Sequence, residues 1–128
     1  MANEIAVSLS LRADKGNFSE QANFANIRID QAAIGGAAGV VTVSTSAAQT
    51  IAFGDVTTAG YVAVRNLSTA TSGTAYISIG SLSGTNLTEV VRLRRGNPAV
   101  FPIKPDITMG AQANAAAPVQ LQYVILSE

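Results

Sequence analysis

Hydrophobic and polar residues alternate along most of this chain. The first clear case is residues 4–12, where every second side chain is apolar: Ile5, Val7, Leu9 and Leu11. A period of two residues is typical of a strand with one buried face. Similar segments follow one another, and each is bounded by Gly, Pro, Asn or Ser/Thr clusters. We therefore predict ten short strands: 4–12, 24–30, 40–45, 49–53, 60–67, 74–80, 87–94, 99–104, 107–113 and 119–126.

The order of these strands indicates the fold class. No segment has the long apolar pattern of period 3.6 that a βαβ crossover needs. We therefore expect an all-β fold: one antiparallel β-sandwich domain over residues 1–128, jelly-roll-like. The alternation predicts these inward-facing side chains: Val62, Val64, Ile77, Ile79, Val91, Leu93, Phe101, Ile103, Leu121, Tyr123 and Ile125.

Glycine and proline mark two exceptions to regular strand structure. Residues 31–39 are rich in alanine, but their three glycines favour a flexible loop over a helix. Pro98, Pro102 and Pro105 surround the strand at 99–104. Proline has no N–H to donate to a neighbouring strand, so this strand is expected at a sheet edge.

The side chains that usually perform chemistry are scarce. The chain has no His and no Cys, which excludes a Cys/His zinc site, a Ser-His dyad and a thiol nucleophile. Its eight acidic residues are scattered, and the segment at Asp14–Asn17 is expected to be a turn, since most ligands of a calcium loop are missing. We therefore expect no enzymatic activity, no cofactor and no metal.

Charge is low as well as balanced. The net charge is +0 and only 12% of residues are charged, so no basic face is expected for nucleic acid. No apolar run approaches the length of a membrane span. A nearly neutral surface favours association between protein molecules. We therefore expect a subunit of an assembly, with no nucleic-acid or membrane partner.

One cluster of charge stands out, at Arg92, Arg94 and Arg95. Alternation places Arg92 and Arg94 on the outer face of a strand and Leu93 on the inner face, while Arg95 begins a turn. Three interpretations remain open. The arginines form a solvated face that prevents aggregation at a strand edge, contact a protein partner through carboxylates, or contact nucleic acid.

The N-terminal segment, residues 1–30, is interpreted as an arm that extends onto a neighbouring subunit. Strand addition to a neighbour's sheet is one physical route to such a contact. Ile5 and Val7, on the apolar face of the first strand, are then interface residues together with Arg92, Arg94 and Arg95.

Three segments resemble small bacteriophage virion proteins: Gly60–Leu67, the arginine–glycine turn between Leu93 and Ile103, and Ala111–Leu126. The resemblance implies a β-sandwich with a structural role in the virion. The expected function is that of a capsid decoration or cement protein, which binds the major capsid protein as a homotrimer. The alternative is a tail or fibre module that binds host-surface glycans. The chain start lacks a secretion signal, so assembly in the host cytoplasm is expected.

Overall fold

A computed structural model describes residues 5–29, 36–54, 56–68, 75–104, 106–114 and 119–127. These ranges contain ten strands and no helix, and every strand pair is antiparallel, which confirms the all-β prediction. Accordingly, no helix in the described ranges is long and apolar enough to cross a membrane. The strands are β1 Ile5–Lys15, β2 Phe18–Ile29, β3 Gly36–Val43, β4 Gln49–Thr50, β5 Ala59–Asn66, β6 Tyr76–Ser83, β7 Asn86–Arg94, β8 Pro98–Pro102, β9 Met109–Ala113 and β10 Val119–Ser127.

The chain divides into two compact units, Met1–Ala32 and Ala33–Glu128. The first unit is a hairpin of β1 and β2, whose two-residue loop begins with Gly16 at a φ of 59°. A glycine with positive φ at the first loop position is the arrangement that a tight hairpin turn favours. Of the turn predicted at 14–17, only residues 16 and 17 form the loop, since Asp14 and Lys15 belong to β1; both strands are also longer than the segments 4–12 and 24–30.

Polar side-chain contacts stabilise the end of the hairpin nearest the turn. Asp14 lies opposite Ser19, whose hydroxyl donates to its Oδ1 at 2.5 Å, while Arg12 Nε donates to Oδ2 at 2.6 Å. The Ser19 hydroxyl and then the Arg12 guanidinium lower the pKa of Asp14 below its usual value, and slight burial opposes them. The Ser19–Asp14 hydrogen bond therefore joins the two strands beside the turn, and Arg12 neutralises the charge of the Asp14 carboxylate.

The second unit contains two four-stranded sheets, with strand orders β3–β10–β5–β8 and β4–β9–β6–β7. Both sheets contribute to one cluster of buried apolar side chains, so they pack face to face in a sandwich-like arrangement. Of the predicted core residues, seven are buried: Val62, Val64, Ile77, Ile79, Leu93, Leu121 and Ile125. The other four are partly buried and pack against the cluster: Val91, Phe101, Ile103 and Tyr123.

The connectivity of the second unit follows a nested pattern. β6 pairs with β7, β5 with β8, β4 with β9, and β3 with β10. Eight consecutive strands are therefore paired from the middle outward, as in one long hairpin bent over itself. The strands of that hairpin are then divided between the two sheets.

Two local predictions have different outcomes. The edge position of the proline-containing strand is confirmed, because β8 ends its sheet; Pro105 lies outside the described residues. The predicted loop at 31–39 is wrong from residue 36 onward, where β3 begins; residues 31–35 are not described. Gly39 faces Tyr123 across the β3–β10 ladder, and a Cβ there would lie 2.9 Å from the Tyr123 hydroxyl oxygen. The glycine makes room for the tyrosine ring, so here it strengthens a strand pair.

Candidate interaction surfaces

The predicted arginine cluster lies on β7, at the edge of the second sheet, and in the turn that follows. Leu93 is buried while Arg92 and Arg94 are exposed, as the alternation predicts. Arg92 Nη2 lies 2.8 Å from Glu89 Oε1, and its guanidinium carbon lies 4.0 Å from the centre of the Tyr76 ring. Arg92 therefore already forms an ion pair with Glu89 and a cation–π contact with Tyr76.

Glu89 completes this arrangement. The Ser78 hydroxyl donates to its Oε2, and Arg92 Nε donates to its Oε1 at 2.8 Å. The Ser78 hydrogen bond lowers the pKa of Glu89 the most, burial opposes it, and Arg92 adds to the lowering. Glu89 thus remains ionised at neutral pH and holds Arg92 along the outer face of its sheet.

Arg94 and Arg95 differ from Arg92, because no ion pair with a described residue engages either side chain. Arg94 lies opposite Tyr76 in the β6–β7 ladder. Arg95 begins the turn to β8, where Asn97 N donates to Arg94 O at 3.0 Å and Gly96 has a φ of 71°. We call residues 94–97 the arginine turn. It presents two exposed guanidinium groups at the end of the second unit.

Asn66 fixes the position of the arginine turn and is almost completely buried. Its Nδ2 donates to Leu93 O at 2.9 Å, and its Oδ1 accepts a bond from Ser68 N at 2.8 Å. Its backbone accepts from Gly96 N at 3.0 Å and donates to Asn97 O at 3.1 Å. Asn66, at the end of β5, therefore links the β3–β10–β5–β8 sheet to the last residues of β7 and to the arginine turn.

Ile5 and Val7, the other predicted interface residues, lie at the start of β1. Ile5 is buried, Val7 is half-buried, and they pair with Ile29 and Ile27 of β2. The expectation of a half-buried strand is wrong farther along β1, because Leu9 is 41% and Leu11 is 71% exposed. The two strands of the hairpin pair edge to edge, so neither strand covers the face on which these side chains lie.

A register shift gives the hairpin one continuous apolar face. Between Val7 and Leu9 the partners change from Ile27 to Phe24, so β2 advances three residues while β1 advances two. Side chains of directly opposite residues lie on the same face of the hairpin. The one extra residue of β2 between Phe24 and Ile27 therefore keeps the apolar side chains of both strands on one face. We call this the apolar hairpin face: Ile5, Val7, Leu9, Leu11, Ala22, Phe24, Ile27 and Ile29.

The outer face of the β3–β10–β5–β8 sheet carries a second apolar surface. Two adjacent rows of cross-strand neighbours lack charged side chains. We call these rows the apolar sheet block: Ala38, Val124, Ala63 and Val100 in one row, and Gly36, Leu126, Tyr61 and Pro102 in the next. A third row lies next to the one that contains Ala38, and it includes Val40 and Arg65. Val40 is 54% exposed, and Arg65 is the one charged residue in the three rows.

The outer face of the other sheet has a different character. Beside Arg92 and Glu89, a shallow depression of about 300 Å³ is lined by Thr45, Tyr76, Ser78, Gln112, Ala113 and Asn114. Gln112 Nε2 donates to Thr45 O at 3.1 Å, and Asn114 Oδ1 accepts from Tyr76 N at 2.6 Å. This depression is polar, in contrast to the apolar sheet block on the outer face of the other sheet.

One apolar cleft opens between β8 and the β6–β7 pair, with a volume of about 180 Å³. Its lining includes Ile79, Val91, Phe101, Ile103 and Ile107. This volume is below the range of about 300–1,000 Å³ that small-molecule sites usually have. No group of three His, Cys, Asp or Glu side chains in the described part of the chain is arranged to hold a metal ion.

No family model, curated protein or solved structure matches this chain. The resemblance to phage virion proteins therefore stays a prediction from the sequence. The sequence does not predict two features of these surfaces. Asn66 belongs to the segment Gly60–Leu67, but nothing in its neighbourhood signals a buried amide. The register shift in β2 was missed because apolar residues three apart break the expected alternation.

Proposed function

We propose that this protein is a non-enzymatic structural subunit, a decoration or cement protein that binds the outside of a phage capsid as an oligomer. The observation that carries the proposal is exposed apolar surface on a chain with few charges: the apolar hairpin face and the apolar sheet block. Extended apolar patches on a soluble protein mark places where other molecules bind.

We further infer that the eight-stranded unit is a jelly roll. Nested pairing of eight strands, divided into two four-stranded sheets, supports this assignment. Viral capsid proteins, lectins and cupins are built on jelly rolls, so the fold fits a virion protein without requiring one. The function rests on the surfaces, and the fold provides a rigid support for them.

The proposed mechanism is thermodynamic. A protein that binds the assembled shell but not the dissociated capsid subunits stabilises the shell by mass action. An oligomer adds multivalency, because each further contact forms at a high effective concentration once the first has formed. Such a protein needs no reacting group, only a rigid surface that matches a repeated feature of the shell.

The arginine turn is our candidate for the capsid contact. Arg94 and Arg95 are exposed and engage no described carboxylate, whereas Arg92 is held by Glu89 and Tyr76. Arginine suits carboxylates because its guanidinium forms two parallel hydrogen bonds with them. Binding through this turn is expected to weaken as salt concentration rises.

Co-sedimentation with expanded empty capsids, assembled from the major capsid protein of the encoding virus, tests this proposal. We expect saturable binding by the wild-type protein and at least about tenfold weaker binding by the double variant Arg94→Glu, Arg95→Glu. Lys104→Ala is the matched control, since it removes an exposed cation elsewhere in the same unit. Wild-type protein that stays in the supernatant at every capsid concentration contradicts the proposal.

Glycan recognition remains a second candidate, and the polar depression beside Tyr76 is the feature that favours it. Its amide and hydroxyl groups suit sugar hydroxyls, but Arg92 already occupies one face of the Tyr76 ring. Titration with purified lipopolysaccharide distinguishes the candidates. Binding that is lost in Gln112→Ala and kept in the double arginine variant supports the glycan module.

A further inference from the structure

The apolar cleft between β8 and the β6–β7 pair lies at an open edge of the eight-stranded unit, because β7 ends one sheet and β8 ends the other. Among its lining residues, Ile79 and Met109 are buried in the core. Four others are only partly buried and pack against that core: Val91, Phe101, Ile103 and Ile107. A concave apolar lining with few polar groups is typical of small-molecule sites.

A register shift in the β6–β7 ladder adds one more apolar side chain to the cleft. Ile79 pairs with Val91 and the next residue, Gly80, pairs with Glu89, so Val90 has no partner in β6. Val90 lines the cleft and is 76% exposed. An extra residue of this kind re-aims a side chain and is common beside binding sites. Val90 therefore gives the cleft an apolar rim.

The two strand edges beside the cleft are poorly suited to pairing with another strand. Ile103 N donates to Gly60 O at 2.9 Å, so the odd-numbered positions around β8 direct their backbone groups toward β5. The even-numbered positions face outward, and they include Pro98 and Pro102, which have no N–H to donate. The register shift at Val90 interrupts the edge of β7 in the same way. The cleft therefore suits a chain that forms no backbone hydrogen bonds.

Lys104 gives the cleft its charge. It is the one charged residue among those that line the cleft, it is exposed, and no ion pair with a described residue engages it. The nearby Asp106 is also exposed and does not line the cleft. In a mostly apolar site a single charged group fixes the orientation of the ligand. An ammonium group at this position complements a ligand with an apolar body and an anionic end.

The volume of the cleft sets the size of that ligand. An apolar cavity of about 150 Å³ binds benzene, so the volume of about 180 Å³ accommodates about six to eight carbon atoms. We propose that the cleft binds the alkyl chain of a straight-chain carboxylate of about this length, with the carboxylate beside Lys104. This site shares no residue with the arginine turn, so ligand binding and capsid binding are separable by measurement.

Titration of the full-length protein with butanoate, hexanoate, octanoate and decanoate, followed by NMR of the Ile and Val methyl groups, gives the first test. We expect saturable shifts at Ile79, Val91, Ile103 and Ile107, and none at Val40 on the other sheet. The affinity should rise about fourfold for each added methylene until the cleft is full, and then level off. Shifts that do not saturate, or an affinity that keeps rising at this rate up to decanoate, overturn the proposal.

Hexanol, which has the same chain without a charge, tests the role of Lys104. We expect the wild type to bind hexanoate about two- to fivefold more tightly than hexanol, because the ion pair is exposed to solvent. Lys104→Ala should lose this preference but keep the chain-length dependence, and Arg65→Ala, which removes another exposed cation, should keep both. A Lys104→Ala protein that still prefers hexanoate overturns the proposal. Capsid co-sedimentation of Lys104→Ala should match the wild type.

Val90→Asp tests the rim of the cleft, and Val40→Asp is its matched control, since both valines are more than half exposed. Val90→Asp should weaken hexanoate binding at least about fivefold, because it removes apolar contact and places a second anion near the carboxylate. Val40→Asp should bind as the wild type does. Far-UV circular dichroism checks that each variant is folded. Equal hexanoate affinity in the two folded variants contradicts the proposed position of the ligand.

Discussion

Asn66 is the buried polar residue whose replacement tests the fold most sharply. Replacing it with alanine removes both side-chain hydrogen bonds, at 2.9 Å to Leu93 O and 2.8 Å from Ser68 N. Each such bond contributes about 0.5–1.5 kcal/mol net, and the vacated space adds a cavity term. We expect Asn66→Ala to lower the free energy of unfolding by about 2–4 kcal/mol, measured by urea unfolding with circular dichroism.

Asn66→Asp adds a pH dependence that alanine does not have. Burial beside Leu93 O raises the pKa of the new carboxyl in the folded state above its unfolded value of about 3.9. The folded state then holds its proton more tightly, so stability falls as pH rises from about 4 to 7. At low pH the protonated carboxyl can donate to Leu93 O. This account is refuted if Asn66→Ala lowers the free energy of unfolding by less than about 0.5 kcal/mol, or if the destabilisation caused by Asn66→Asp does not depend on pH.

Three further changes test other parts of the account by the same unfolding measurement. Leu121→Ala is expected to cost about 2–5 kcal/mol, since Leu121 is fully buried between the sheets; a cost below about 1 kcal/mol contradicts its core position. Gly80 lies at a register shift in the β6–β7 ladder, where its partner changes from the Val91 position to Glu89. Gly80→Ala is expected to cost more than about 3 kcal/mol, because its Cβ would lie 1.8 Å from Thr88 O; a near-neutral result means that the backbone at this shift relaxes freely. Glu89→Gln is expected to lower stability by less than about 1 kcal/mol at neutral pH, since this carboxylate is exposed. Because the Ser78 hydrogen bond, and to a smaller extent Arg92, lowers the pKa of Glu89 from its ordinary value, that difference should vanish as pH falls through the lowered pKa; a constant difference contradicts these contacts with the carboxylate.

Strand periodicity accounts for most of the fold that could be predicted. The segment around Leu93 alternates strictly, and its inward and outward side chains follow from the pattern alone. The edge position of β8 also followed from local chemistry, because proline lacks the N–H that an inner strand needs. These features depend on residues close in sequence.

The remaining features depend on contacts between residues far apart in the chain. Gly39 was predicted to lie in a loop because its segment contains three glycines, whereas the strand needs a glycine there to leave space for the ring of Tyr123, a residue distant in sequence. Asn66 looks like an ordinary strand-end amide until Leu93 O is brought to it. The hairpin was read as two separate short strands because the shift at Phe24 breaks the period of two. Register and cross-strand partners are not encoded in any single segment.

Hydrogen exchange in the hairpin tests most directly the claim that this chain works through covered apolar surfaces. The amides of β1 and β2 between Leu9 and Phe24 would be measured at two protein concentrations, above and below the association midpoint. We predict stronger protection in the oligomer than in the dilute protein, because contacts between copies slow the opening of a two-stranded hairpin. Equal protection at both concentrations, in a protein whose mass stays that of one chain, would contradict the claim.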